Sequence, residues 1–384
     1  LFVNAPSVRA QVTIGMRAEP NEGALLDLKQ SQTNGSANAS KGLLLPRVQL
    51  TDLNELAPML NSSTDTEKAA YVGLTVYNVE RGSCPSIPSG IYVWGGSEWT
   101  PILNDGGGGG GSDVDPAGPG EVGVLKDPRD NELYYTGDFG TAGIWMLENL
   151  RYIPKAKDCY THSAASSTGT TDKYYAFPRE VSGTTAYNDL DNIKSTWQGS
   201  TKLRKMGVLY NWAGATNGRS LPSNDEADKA YVDGYEKIQG VCPTGWYLPS
   251  DRDWNDLEQV IADAAANVYS TEAASSMTSG FRAATGFRNA PLGKKMKSTT
   301  DVNTTDIYST NGTSKSAATG GFDALLAGNV SGSSYAFGEL AYFWSSSFYG
   351  DSNAWHRSFY HSNAGVARYY CTWSALLSVR CKKD

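Results

Sequence analysis

Three stretches of this 384-residue chain set residues of types that do chemistry close together. The first is KIQGVCPTGWYLPSDRDWNDLE, residues 237–258, with a cysteine, two tryptophans and a charged amphipathic segment in 22 positions. A nucleophilic cysteine needs a base within reach and a lowered pKa. Nothing local supplies either to Cys242, since His162, His356 and His361 are all distant in sequence. Five cysteines (Cys84, Cys159, Cys242, Cys371, Cys381) occur without a CxxC pair, so zinc, which needs close ligand pairs, is excluded. In an exported protein they read as one or two disulfides and a leftover thiol. The terminal SVRC offers Cys381 as the partner of Cys242, closing a loop of roughly 140 residues worth roughly 4 to 5 kcal/mol in the chain-entropy model. Cys159 and Cys371 form the second candidate pair.

The second stretch, FYGDSNAWHRSFYHSNAG (348–365), sets aromatic planes beside amides and a carboxylate. Such a mixture suits sugars, whose CH faces stack and whose hydroxyls need directional partners. Tyr349, Asp351, Asn353, His356, His361 and Asn363 are the ligand candidates. On a strand, Trp355, Arg357 and Phe359 share one face and His356, Ser358 and Tyr360 the other, so one face must be core. The third, NDLDN (188–192), clusters Asp189 and Asp191 with two amides, either as a calcium loop or as a solvated turn.

The elements that must position these residues are β-rich. Gly 41, Tyr 22 and Trp 10 with 19% charged residues favour a loop-rich β or α+β protein. The net charge of −7 and the lack of a Lys/Arg cluster interleaved with aromatics argue against a nucleic-acid surface. No run approaches the ~18 apolar residues that span a bilayer. LFVNAPSVRAQ reads as the tail of a secretory signal peptide ending at residue 10, with an ordinary N-terminal strand as its alternative. DGGGGGGS (105–112), extended by DVDPAGPGE, reads as a flexible linker over 105–119. About eight such residues span roughly 15 Å.

Before the linker, 11–104 reads as a small β module: GLLLPR, GLTVYN and GIYVWGGSEWTPI are apolar or aromatic runs, the last with a hairpin turn at Gly95-Gly96-Ser97. TDLNELAPML (51–60) reads as a short helix capped by Thr51, with Glu55 in its first turn. After the linker, 120–384 reads as one domain that opens with a β-meander over 122–152. Within it, Ser250 and Asp253 start a helix whose apolar face is Trp254, Leu257, Ile261 and Ala265. Trp254 is therefore a core anchor. Asn255 and Asp256 point about 100° apart on that helix and cannot converge on calcium.

GIWMLENLRY (143–152), MGVLYNWAGA (206–215), GVCPTGWYLPSDRDWNDLE (240–258), FWSSS (343–347), AWHRSF (354–359) and SVRCKKD (378–384) follow one another in order. Together they resemble the Fibrobacter succinogenes major paralogous domain family over about 265 residues. The resemblance implies an exported cell-surface domain of Fibrobacter- and Bacteroidetes-type bacteria with a C-type-lectin-like fold, and no established catalytic residues. The lectin calcium tripeptide Glu-Pro-Asn occurs only at 19–21, in the wrong module, and Cys371 and Cys381 fit a scaffold better than the cysteine pair of sulfatase-activating enzymes. GLLLPR, GLTVYN and Trp94 to Trp99 resemble short β modules of bacterial surface proteins and phage tail fibres, which implies a homotrimer.

The expectation is an exported, non-enzymatic protein without a cofactor, held at the cell surface or outer membrane, that binds a surface glycan or an outer-membrane protein. Two alternatives stand beside it. One is an accessory or tip subunit of a pilus or outer-membrane assembly. The other is a carbohydrate-active enzyme, which needs two carboxylates facing each other across a cleft from acids such as Asp253, Asp323 and Asp351.

Overall fold

The runs GLTVYN and GIYVWGGSEW alternate apolar and polar residues, and a sheet results. The computed structural model describes residues 12–14, 26–28, 30, 40, 42–60, 64–79, 90–101, 113–155, 158–163, 172–180, 185–186, 189–218, 237–299, 311–331 and 333–384. The chain divides into two compact units, the first ending at Asn104 and the second running from Asp105 to Asp384. Residues 1–10, the 19–21 tripeptide and the Gly run 105–112 lie outside the described residues.

In the first unit, β1 (Arg47–Val48), β2 (Thr75–Asn78), β3 (Gly90–Trp94) and β4 (Trp99–Pro101) form a sheet in that order, with β1 parallel to β2 and the rest antiparallel. Val76, Tyr92, Trp94 and Trp99 bury on one face with Leu50 and Leu56. The two tryptophans meet edge to face at 5.4 Å, and their indole N–H groups donate to the carbonyls of Lys68 and Glu55. Residues 51–60 form turns, not the expected helix. Pro58 in their middle brings no N–H and blocks the preceding turn. The helix of this unit is instead α1 (Asp65–Ala70), started by a capping box between Thr64 and Glu67.

The second unit is α+β and β-rich. The expected meander is present as β5 (Val122–Lys126), β6 (Leu133–Asp138) and β7 (Ile144–Met146). Lys382–Lys383 and Trp246–Tyr247 continue its sheet. The linker expected over 105–119 is shorter at its C-terminal end. Val114 bridges Val124, Asp113 accepts the Lys126 N–H, and Asp115 pairs with Lys383 at 2.5 Å. Gly123 permits this docking, because a Cβ there would lie 2.1 Å from the Val114 carbonyl oxygen.

Helix α2 (Leu190–Gly199) precedes the long helix α3 (Asp251–Asp263). Then follow β8 (Gly286–Arg288), α4 (Leu292–Met296), β9 (Leu340–Tyr349), β10 (Asn353–Tyr360) and β11 (Val366–Thr372). An eight-stranded sheet runs, from edge to edge, through Tyr160–His162, Lys173–Ala176, Leu209–Tyr210, Leu377–Ser378, β9, β10, β11 and β8. Helix α3 begins as expected, with a capping box between Ser250 and Asp253, and buries Trp254, Leu257 and Ile261. Ala265 falls beyond its end and is exposed. Trp254 packs edge to face on Trp145 at 5.2 Å and reaches Phe322 and Phe343, so one aromatic core joins the meander, the helix and the long sheet. A disulfide joins Cys242 to Cys381, 139 residues apart in sequence, beside the paired strands Trp246–Tyr247 and Lys382–Lys383. The second candidate pairing is corrected: Cys159 is disulfide-bonded, but not to Cys371, whose thiol is free and partly buried. Cys371 sits within β11 in a largely apolar setting, and burial pushes its thiol up to about 12.

Candidate functional site

The long helix is buried on a second face. Asp251, Asn255 and Glu258 recur at spacings of four and three, so they lie on one side of α3. Opposite them, Arg357 of β10 pairs with Arg368 of β11 in register, and Arg288 ends β8. Arg357 donates to Asp251 at 2.6 Å and to Glu258, Arg368 grips both oxygens of Asp251 at 2.8–3.0 Å, and Arg288 holds Glu258 at 3.0 Å. The Asn255 carbonyl oxygen accepts from both Arg288 and Arg357. Burial would raise the Asp251 carboxyl, yet Arg357 and Arg368 hold it below its ordinary range. Three guanidinium groups against two carboxylates leave the cluster one positive charge in excess. These are scaffold interactions, and Asn255, set aside as a calcium ligand, is their neutral hinge.

The network ends at a surface. The Arg368 guanidinium stacks 3.4 Å over the Trp355 ring. Trp355 meets Tyr349 edge-on at 4.8 Å and Tyr370 at 5.7 Å. Tyr349 and Tyr370 stack face to face at 4.0 Å, and Tyr369 continues the row at 5.0 Å, parallel to Tyr370 within 4°. Tyr349 is 37% exposed and Tyr369 49%, so the row ends in open rings. Neighbouring phenols, Tyr349 first and Tyr369 next, hold the Tyr370 phenol above its ordinary value. The strand register explains the row. Tyr349 pairs with Asn353, two residues from Trp355, and Trp355 pairs with Tyr370, so these side chains share one face of the sheet. Beyond Arg368 no pairing with β8 continues, which leaves the Tyr369–Tyr370 edge of β11 uncovered by that strand.

Of the six ligand candidates, Tyr349, Asp351 and Asn353 stand together at the β9–β10 turn, with Asp351 exposed. His361 and Asn363 do not join them. They sit past the other end of β10, seven residue steps or roughly 23 Å away. There the buried Lys297 ammonium donates to the carbonyls of Tyr360, His361 and Asn363 at 2.7–2.9 Å, fixing that turn. His356 is also corrected. It is 4% exposed inside the sheet, and both faces of β10 are buried where one was expected. Helix α3 packs on one side of the strand, and on the other the Tyr342 and Trp344 rings of β9 flank His356. The Asp189–Asp191 cluster is neither calcium loop nor free turn. Asp189 caps α2 by accepting the Asn192 N–H, and Asp191 lies in its first turn. Among the described residues, no group of three or more His, Cys, Asp or Glu is placed to hold a metal ion. Of the acids weighed for hydrolysis, Asp253 bonds Ser250 and Lys382, and Asp323 accepts the Ala317 N–H. Tyr369 and Tyr370 escaped the sequence reading. A YY doublet late in a strand gives no local sign that both rings join one exposed row.

Burial, with Arg357 beside it, pushes the His356 imidazole down to about 3, far below the ordinary 6.5. Between those values the unfolded chain takes up a proton that the folded one refuses, so stability falls as pH drops from 6.5 towards 3. A loss of roughly 3 kcal/mol is expected between pH 7 and pH 4 from this group. Urea midpoints at the two pH values measure it. His356→Phe should flatten the difference by about that amount, and an unchanged difference would refute the assignment.

Comparison with known families gives two matches. Residues 141–383 match the Fibrobacter succinogenes major domain, and residues 13–115 match a phage tail like trimerisation region. No curated protein matches the chain, and no solved structure does. Among the described residues no helix is long and apolar enough to cross a membrane.

Proposed function

Because this chain belongs to the Fibrobacter succinogenes major domain family, a likeness that points to a surface-associated protein, we propose that it is an exported, non-enzymatic binding protein of the cell surface. Its second unit recognises glycan through the tyrosine row, and its first unit gathers three copies. The exposed stack of Tyr349, Tyr370 and Tyr369 carries the reading. Open aromatic faces of this kind take the CH faces of sugar rings, and Asp351 and Asn353 at the same turn supply directional partners for hydroxyls. The C-type-lectin-like fold belongs to the same proposal. Its support is a helix packed on a mostly antiparallel sheet, with a long-range disulfide near the terminus. Three copies on one stalk would turn weak single contacts into avidity, with gains of about 10²–10⁴ where the geometry allows joint engagement.

The test is a glycan array probed with the whole protein and with a Tyr349→Ala/Tyr370→Ala variant. Binding to a defined set of glycans is expected, with the variant weaker by at least about tenfold, or roughly 1.4 kcal/mol. Equal binding by the variant would remove the site. Silence of the native protein across the array, together with stoichiometric recovery of other surface proteins in a mild-detergent pulldown, would favour an assembly subunit instead.

A further inference from the structure

The sheet of the first unit has two faces, and among the described residues only one of them has a core. Val76, Asn78, Tyr92 and Trp94 point to the buried side. Their alternating neighbours Thr75, Tyr77, Ile91 and Val93 point to the other, where Tyr77 pairs with Ile91 and Thr75 with Val93. Tyr77 is 36% exposed and Ile91 38%. The extended segment leading into β1 adds to the same side. Arg47 pairs with Tyr77 and the Pro46 carbonyl accepts the Tyr77 N–H, which places Leu45 and Leu43 on the Tyr77 face by alternation. Leu43 is 66% exposed. Among the described residues, the buried core of this unit has six apolar members, all on the other side of the sheet.

We infer that this outward sheet face, centred on Tyr77, Ile91 and Val93 and flanked by Leu43, is the surface on which two further copies of this chain pack. The inference rests on the trimer reading, which the match of residues 13–115 to a trimerisation region supports. The symmetry selects the face. Around a threefold axis identical side chains approach one another, so a charged residue there meets its own like charge twice. The central strip is neutral: Thr75, Tyr77, Ile91 and Val93 carry no formal charge, and Arg47 stands at its side. Packing the strip against its copies removes exposed leucine, isoleucine and tyrosine from water.

The experiment compares molar masses by light scattering at micromolar concentration for the whole native protein, Ile91→Glu, Ile91→Ser and the control Leu133→Glu on the second unit. The native protein and the control are expected at three chains of 41.2 kDa each. Ile91→Glu should run as one chain, and Ile91→Ser should need at least tenfold more protein to trimerise. Resistance of residues 42–101 to limited proteolysis shows whether the unit is still folded. A folded Ile91→Glu that stays trimeric overturns the face and leaves the trimer standing. A native protein of one chain, or of two, overturns the trimer reading itself. If Ile91→Glu is cleaved there, Ile91→Ser decides: a raised trimerisation threshold supports the face and an unchanged one overturns it.

Discussion

Glu258→Gln is expected to lower the unfolding free energy of the second unit by about 3–5 kcal/mol, the usual cost of removing one partner from a buried ion pair. The side chain keeps its shape and loses only its charge. Glu258 is fully buried and answers two guanidinium groups, Arg357 and Arg288. Without its charge, three buried arginines face the single carboxylate of Asp251. Arg357→Met works the other way. It leaves Arg368 on Asp251 and Arg288 on Glu258, two balanced pairs, so only packing and hydrogen bonds are lost, for about 1–3 kcal/mol. Burial already pushes the Arg288 guanidinium down to about 10, a sign of how little solvent relieves this cluster. Urea unfolding of the two variants separates these outcomes. Should Arg357→Met cost as much as Glu258→Gln, charge balance is not what governs the network.

Removing the Cys242–Cys381 bridge with the double variant Cys242→Ser/Cys381→Ser is expected to cost about 5 kcal/mol, from a closed loop of 139 residues in the chain-entropy treatment. For a unit of this size that corresponds to a fall in Tm of about 8–10 °C. The effect is large because the bridge stands beside the last pairing of the chain. Lys382–Lys383 completes the meander sheet between Trp246–Tyr247 and β7, and Lys382 also reaches the helix-capping Asp253 at 2.7 Å. A long-range strand pair of this sort brings together segments whose encounter is entropically costly, and the covalent link removes most of that cost from the unfolded side. The double variant is the proper probe, since a reductant would also open the disulfide of Cys159. A shift below about 3 °C would show that the pairing holds without its staple.

Local pattern was enough to find much of this molecule. The meander was legible because its turns carry Asp, Asn and Gly between alternating strands. The start of α3 was legible because a serine precedes an aspartate by three positions ahead of an apolar stripe, and the anchoring role of Trp254 followed from its spacing. Where local rules competed, reading failed. Residues 51–60 carry a cap and apolar spacing, but Pro58 outweighs them. Asp189 and Asp191 looked like loop acids because the helix they begin, with its buried Ile193 and Trp197, declares itself only downstream.

The sequence alone determined the family, the two units and the β-rich class, because each rests on composition, short-range spacing or motifs in fixed order. Only the tertiary structure decided which residues stand together. It separated Tyr349 and Asn353 from His361 and Asn363 by the length of β10, and it buried His356 by covering both faces of that strand. It also joined Tyr349 to Tyr370 and drew Arg288, Arg357 and Arg368 onto one side of α3. Those contacts depend on strand register between segments tens of residues apart, and a one-residue slip would turn every side chain to the opposite face.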